Sequence, residues 1–95
     1  MASIGVLTME IRLVGAHSLK EKRNVLKRLK DRLRHRHNIA IAEIDYQDVW
    51  QHAVVAAVTV SPSRENAARV LESVERLAVS ELGAGLVQAD LEWLE

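Results

Sequence analysis

The most chemically distinctive feature of the chain is a dense run of lysines and arginines. The stretch SLKEKRNVLKRLKDRLRHRH, residues 18–37, holds nine of the thirteen Lys and Arg residues but only two of the thirteen Asp and Glu residues. Its formal charge of +7 is balanced by −7 in the rest of the chain, so a net charge of zero hides a polarised molecule. Such asymmetry indicates an anionic partner for the basic stretch.

Helical spacing sorts these cations around an aliphatic stripe. At about 100° per residue, Leu26, Leu29 and Leu33 share one sector, and the cations lie mainly on the two flanks of that sector. Lys22 falls within the stripe, where its stem can lie on apolar surface with the ammonium at the edge. A solvated helix face is the alternative, but nearby acids are too few for i,i+4 pairing, so we expect nucleic-acid contact. The cations placed to neutralise RNA phosphates are Lys20, Lys22, Arg23, Lys27, Lys30 and Arg34.

The start of the same helix offers a second anion site. Ser18 and Glu21 have the spacing of a capping box, which fixes where the helix begins. Ser18, Lys20 and Arg23 would then lie near free backbone N–H groups that can hold a phosphate. Small phosphatases of this topology use an Arg in a Gly-containing cradle, which the preceding GAHS does not offer. An enzyme is therefore a minor interpretation, and we predict no catalytic residue and no cofactor.

The histidines and tryptophans give weaker signals. His35 and His37 are two residues apart on a helix and diverge, and the chain has no Cys, so no metal site is predicted. Trp50 can stack on a base from a loop, but a lone Trp beside a strand more often covers the edge of a core. We expect that packing role for Trp50 and for Trp93.

Polar and apolar periodicity predicts six elements in the order βαββαβ. Strands are expected at about residues 4–14, 39–45 and 52–60 and after Gly85, with helices at 18–37 and from Ser61 or Ser63 to Gly83. Asn38 is a plausible left-handed C-cap of the first helix. Right-handed crossovers place both helices on one face of a four-stranded antiparallel sheet. The prediction is a single α+β domain, residues 1–95, with a ferredoxin-like two-layer sandwich.

Strand parity predicts a core and an open sheet face. The predicted core comprises Leu7, Met9, Ile11, Leu26, Leu29, Leu33, Val54, Val58, Leu71, Val74, Val87 and Leu91. The open face is expected to carry an apolar patch of Ile39, Ile41, Val55 and Ala57, flanked by Glu10, Glu43, Asp90 and Glu92. This patch motivates a rival function, a protein-interaction module or homodimer acting through the sheet. The face has no aromatic residue, so RNA stacking on the sheet is rejected.

Three motifs carry a resemblance to a known family. SLKEKR at 18–23, NIAIAE at 38–43 and a Trp at position 50 entering an Ala/Val strand resemble the YlxP-like family of small bacterial proteins, known mainly as a domain of unknown function. The shared positions are Ser18, Leu19, Lys20, Lys22, Arg23, Asn38, Glu43 and Trp50. The resemblance implies a ferredoxin-like fold and, because family members are often encoded beside translation and ribosome-maturation factors, a role with RNA or ribosomes. No catalytic residue is established in the family.

The remaining composition bounds the cellular context. The absence of Cys fits a reducing compartment, and the N-terminus MASIGVLTME has neither a charged region nor an uninterrupted apolar run of a signal peptide. No segment is long and apolar enough to span a bilayer. The leading expectation is a cytoplasmic, non-catalytic protein that binds RNA or a ribosomal particle.

Overall fold

A four-stranded antiparallel sheet with two helices on one face forms the structure. The computed structural model describes all 95 residues. Its elements are β1 (Ser3–Arg12), α1 (Leu19–Arg36), β2 (Ala40–Asp45), β3 (His52–Ser61), α2 (Arg64–Leu82) and β4 (Leu86–Trp93). The sheet order is β2-β3-β1-β4. The predicted ferredoxin-like βαββαβ sandwich is confirmed.

Side-chain caps fix the start of both helices. The Ser18 hydroxyl accepts from the Glu21 N–H at 3.1 Å, as predicted, but the Glu21 carboxylate accepts from the His17 N–H and not from Ser18. The second helix begins after Ser63, whose hydroxyl accepts from the Asn66 N–H at 3.1 Å. Each cap satisfies an N–H group that has no partner within its helix.

The two helices end differently. Gly83 closes α2 with φ of 55°, a left-handed conformation that glycine adopts without strain. The prediction of a left-handed Asn38 after α1 is wrong, because Tyr46 is the one non-glycine residue with positive φ. The His37 ring instead bonds the Leu33 carbonyl and the Ser73 hydroxyl, each at 2.9 Å, which ties the end of α1 to α2.

The predicted helical core and β1 core are confirmed, but the parity of β2 and β3 is inverted. Met9 lies opposite Val55 and Leu7 opposite Ala57, so Val55 and Ala57 point toward the helices with their β1 partners. Both are fully buried. The predicted core residues Val54 and Val58 therefore lie on the open face, and the predicted interface patch Ile39, Ile41, Val55 and Ala57 lies on the covered face.

A bulge also shifts β4 by one residue. Glu10 pairs with Gln88, but Ile11 pairs with Leu86, so Val87 is extruded and stays 49% exposed while Leu86 packs on the core. Leu91 lies opposite Leu7 on the helix side yet is 42% exposed, because β4 is an edge strand. The predicted core positions of Val87 and Leu91 are therefore wrong.

Candidate nucleic-acid interface

The packing of α1 decides which of its flanks faces solvent. Leu26, Leu29 and Leu33 are buried against the sheet and α2. On one flank, Arg32 pairs with Glu81 of α2, and Arg28 lines the cleft between the helices. The other flank therefore faces away from α2, beside β2 at the edge of the sheet.

We call this outward-facing set the basic flank. It consists of Lys20, Arg23, Lys27, Lys30 and Arg34. Four of the five are exposed and Lys30 is partly buried. The cations that the sequence predicts for RNA contact thus share one surface, with the exception of Lys22.

A single acid lies among the cations of the basic flank. Asp31 accepts from Arg34 Nη2 at 2.6 Å and from Lys27 Nζ at 3.1 Å. These hydrogen bonds hold the pKa of the Asp31 carboxyl below its ordinary value, and the bond from Arg34 has the larger effect. Lys20, Arg23 and Lys30 have no carboxylate within salt-bridge distance, so the flank keeps a large excess of positive charge.

Lys22 is a structural residue and not part of the phosphate-facing surface. Its side chain is 0% exposed, and Nζ lies 2.8 Å from Glu43 Oε2 of β2, which has no other partner. Nζ also donates to the Tyr46 carbonyl. The sequence expectation that the ammonium reaches solvent is wrong, because Glu43 lies on the covered sheet face and meets it there.

The loop between β2 and β3 presents two aromatic rings near the start of α1. Tyr46, whose φ is 60°, stacks on His52 with ring centroids 3.9 Å apart. Trp50 is 51% exposed and lies outside the core cluster, so the expected packing role is wrong. Gln51 holds this loop against the β1–α1 connection by donating to the Val14 and Ala16 carbonyls. Trp93, in contrast, packs over Gly5 and under the Arg64 guanidinium.

The N-terminus of α1, where Ser18, Lys20 and Arg23 predict a phosphate site, already holds two side-chain acceptors. The Ser18 hydroxyl and the Glu21 carboxylate already accept N–H groups at this end. An incoming phosphate would therefore approach the Glu21 carboxylate, which repels it. Lys20 and Arg23 keep their place on the basic flank.

Acidic and titratable groups elsewhere form no cation site. No three His, Asp or Glu side chains converge in a way that could hold a metal ion. His52 bonds Glu10 at 2.6 Å on the open sheet face. No helix has both the length and the apolarity to cross a membrane.

Two sequence comparisons place the chain among known proteins. Residues 4–91 match the family model described as protein of unknown function, DUF503. The uncharacterized protein YlxP of Bacillus subtilis (strain 168) is 42% identical over 71 residues, which cover 75% of this chain and 77% of YlxP. The resemblance carried by the SLKEKR, NIAIAE and Trp50 motifs is thereby confirmed.

Solved structures share the fold at low sequence identity. The de novo designed protein Foldit4 aligns over 100% of this chain and 98% of its own, with a TM-score of 0.61 and 9% identity. The designed ferredoxin-fold protein LFR1 1 aligns over 98% and 83%, with a TM-score of 0.51 and 16% identity. The YXEP protein of Bacillus subtilis, a dinuclear metal-binding peptidase, aligns over 98% of this chain but 26% of its own, with a TM-score of 0.60 and 15% identity. These likenesses concern the fold alone.

Proposed function

The chain belongs to the DUF503 family of proteins of unknown function, and we propose from its geometry that it is a non-catalytic RNA-binding protein associated with ribosomal particles. The observation that carries the proposal is the basic flank: five cations on one exposed side of α1, with Asp31 as the one acid among them. A surface of this kind attracts phosphates and releases their counterions.

The dimensions of the basic flank suit a polyanion. From Lys20 to Arg34 the helix rises about 21 Å, so the cations form a row and not a point. A single small anion would meet one or two of them, whereas a nucleic-acid backbone can meet all five. Since phosphate contacts carry no sequence information, we expect tolerant recognition of RNA shape and charge.

The open sheet face does not support the alternative mode of RNA binding. RNA-recognition modules of this topology stack bases on sheet aromatics. Here the middle of the central strands carries aliphatic and small side chains on that face, and the His52 ring at one end is already stacked on Tyr46. The edge strand β4 adds Asp90 and Glu92, which repel phosphate. RNA therefore belongs on the basic flank and the adjoining loops.

A pair of matched charge reversals on α1 tests the proposal. Lys20→Glu with Arg23→Glu changes the basic flank, and Arg28→Glu with Arg36→Glu changes the opposite side of the same helix by the same formal charge. Binding to ribosomal RNA fragments is measured by fluorescence anisotropy, and binding to ribosomal subunits by cosedimentation. We expect the flank variant to bind about tenfold more weakly than the control or worse, because two phosphate contacts are lost and replaced by repulsion.

Two results would contradict the proposal. Equal weakening of both variants would show that net charge alone attracts RNA, without a site. Absence of binding by the wild type at low salt would exclude RNA as a ligand. Circular dichroism of each variant verifies that the exposed substitutions leave the fold intact.

A further inference from the structure

The sheet face turned away from the helices is apolar at its centre. Val6 lies directly opposite Val58, and Val58 opposite Ala40, so these three side chains form one row across β1, β3 and β2. We call the whole set the apolar face. It comprises Ile4, Val6, Ala40, Ala42, Val54, Ala56, Val58 and Val60, all partly or fully exposed. It is not the patch expected from sequence parity, since that patch is under the helices.

A solvated antiparallel sheet does not need this composition. Such sheets alternate apolar residues toward the core with polar residues toward water. In β3 both parities are apolar: Val55 and Ala57 are buried in the core, and Val54, Ala56 and Val58 face outward. A contiguous exposed patch of aliphatic side chains marks an interaction surface.

The size of the face is sufficient for a modest interface between two chains. Four strands about 4.8 Å apart and about 30 Å long give a footprint on the order of 600 Å² per copy. Two such faces would remove about 1,200 Å² from water, which is the lower bound for specific, stable complexes. Two antiparallel sheets can pack face to face at the usual spacing of about 10 Å.

The acidic edge of the sheet selects the orientation in which a second copy can pair with this face. Asp90 lies opposite Thr8 and Glu92 opposite Val6, so β4 adds an acidic column to one edge of the apolar face. The other edge, β2, adds Ala40 and Ala42 to the face, and Asp45 lies beside Val54 at one end of it. The acidic column therefore follows one edge only, and repulsion opposes any pairing that brings two such columns together.

We propose that the apolar face pairs with the same face of a second copy of the chain, across a two-fold axis roughly parallel to the strands. This axis sets the β4 edge of each copy against the β2 edge of the other, so Asp90 and Glu92 lie across from Ala42 and Ala40 and the two acidic columns stay apart. An axis perpendicular to the strands would instead oppose the two acidic columns, which repel. At one end of the face, the Glu10 carboxylate is already bonded to His52, so it does not enter the interface unpaired.

Mass measurement over a concentration series tests the proposal. Multi-angle light scattering and sedimentation velocity on the wild-type chain should give twice the monomer mass at about 100 µM, well above the Kd expected for an interface of this size. Val58→Glu should raise the dimer Kd by about a hundredfold or more, because two-fold symmetry buries a carboxylate from each copy. Val79→Glu, the same change at an exposed site on α2, should leave the dimer unchanged.

A milder variant and a cross-link keep the test decisive. Val58→Thr preserves the branched shape and should weaken the dimer by about tenfold even if Val58→Glu fails to fold. The chain has no Cys, so Ala42→Cys in one sample and Asp90→Cys in another should give a mixed cross-link when combined with a bis-maleimide that spans the spacing of about 10 Å between packed sheets. Ala42→Cys alone should not cross-link.

Three outcomes would overturn the inference. They are a wild-type monomer at about 100 µM, a dimer that Val58→Glu does not weaken, and preferential cross-linking of Ala42→Cys to itself. A wild-type monomer would indicate that the apolar face does not bind a second copy and would point to a different protein partner. None of them depends on RNA, since all measurements use nuclease-treated protein, so failure here and failure of the RNA proposal are separable.

Discussion

At the scale of single residues, the buried Lys22–Glu43 pair explains why the sequence misassigns β2. A carboxylate in an alternating segment normally indicates the solvent face, so Glu43 predicts that Ile39 and Ile41 also face water. The structure reverses this, because Lys22 of α1 supplies a charge under the helix at 2.8 Å. Lys22 and Glu43 would each be predicted to be exposed, but their pairing allows both to be buried. Neither segment alone reveals this pairing.

Removing one member of this pair should destabilise the protein more than removing both. Glu43→Leu leaves a fully buried ammonium and should cost about 3–5 kcal/mol of unfolding free energy. Lys22→Met leaves a carboxylate whose side chain is 16% exposed and can be partly hydrated, so the loss should be smaller. The double variant keeps neither buried charge, so it should lose less than Glu43→Leu alone and less than the sum of the two single losses.

Urea unfolding of the four proteins in this cycle measures the coupling. Additive losses would show that the two charges do not stabilise each other. The same cycle with Lys27→Met and Asp31→Leu, an exposed pair at 3.1 Å, serves as the comparison and should give a much smaller coupling, because solvent screens exposed charges.

Asp31 tests the electrostatics of the basic flank at a single position. Asp31→Asn removes the acid that bonds Arg34 and Lys27, so RNA affinity should rise by about threefold. The pKa of Asp31 is lowered in the folded state, so its favourable interaction is complete at neutral pH and is lost only as the pH falls below the ordinary carboxyl range. Asp90→Asn, on the far edge of the sheet, is the control. A decrease in affinity for Asp31→Asn would indicate that the acid positions the cations.

At the scale of elements, all six helices and strands are predictable, but the facing of the side chains in β2, β3 and β4 is not. In α1 and β1, polar and apolar residues alternate with a clear period, and Leu7, Met9, Leu26 and Leu33 are buried as predicted. In β3 nearly every residue is apolar, so alternation cannot tell one face from the other. The register with β1 determines which residues of β3 face the helices, and this register is a property of the tertiary structure. The β4 bulge is likewise invisible in sequence, because one extruded residue breaks the parity between Leu86 and Ala89.

Packing of α1 against the sheet predicts a large effect at Leu29. This side chain is buried in the core cluster between Lys22 and Leu33 along the helix. Leu29→Ala should lower the unfolding free energy by about 2–5 kcal/mol, through lost burial and a residual cavity. Thermal and urea unfolding measure the loss. Val79→Ala, exposed on α2, should change stability by less than about 0.5 kcal/mol, and a similar loss in both variants would contradict the packing described for α1.

At the scale of the whole molecule, the two proposed surfaces use different forces on different sides. The basic flank lies on the helix layer and attracts phosphates, while the apolar face lies on the other side of the sheet and buries aliphatic area. A dimer joined through the apolar face keeps both copies of α1 on its outside. RNA binding and self-association are therefore compatible, and neither needs the other's residues.

Salt should weaken RNA binding strongly and self-association only slightly. Contact with four or five phosphates of a single strand predicts a slope of about −3 to −4 for log affinity against log salt, or a loss of about a thousandfold or more per decade. Apolar pairing is not weakened by screening, so the dimer Kd should change by less than about tenfold. Anisotropy with RNA and light scattering without RNA, both across one decade of salt, measure the two slopes. If the dimer dissociates as steeply as the RNA complex, charged groups and not the apolar face hold the copies together.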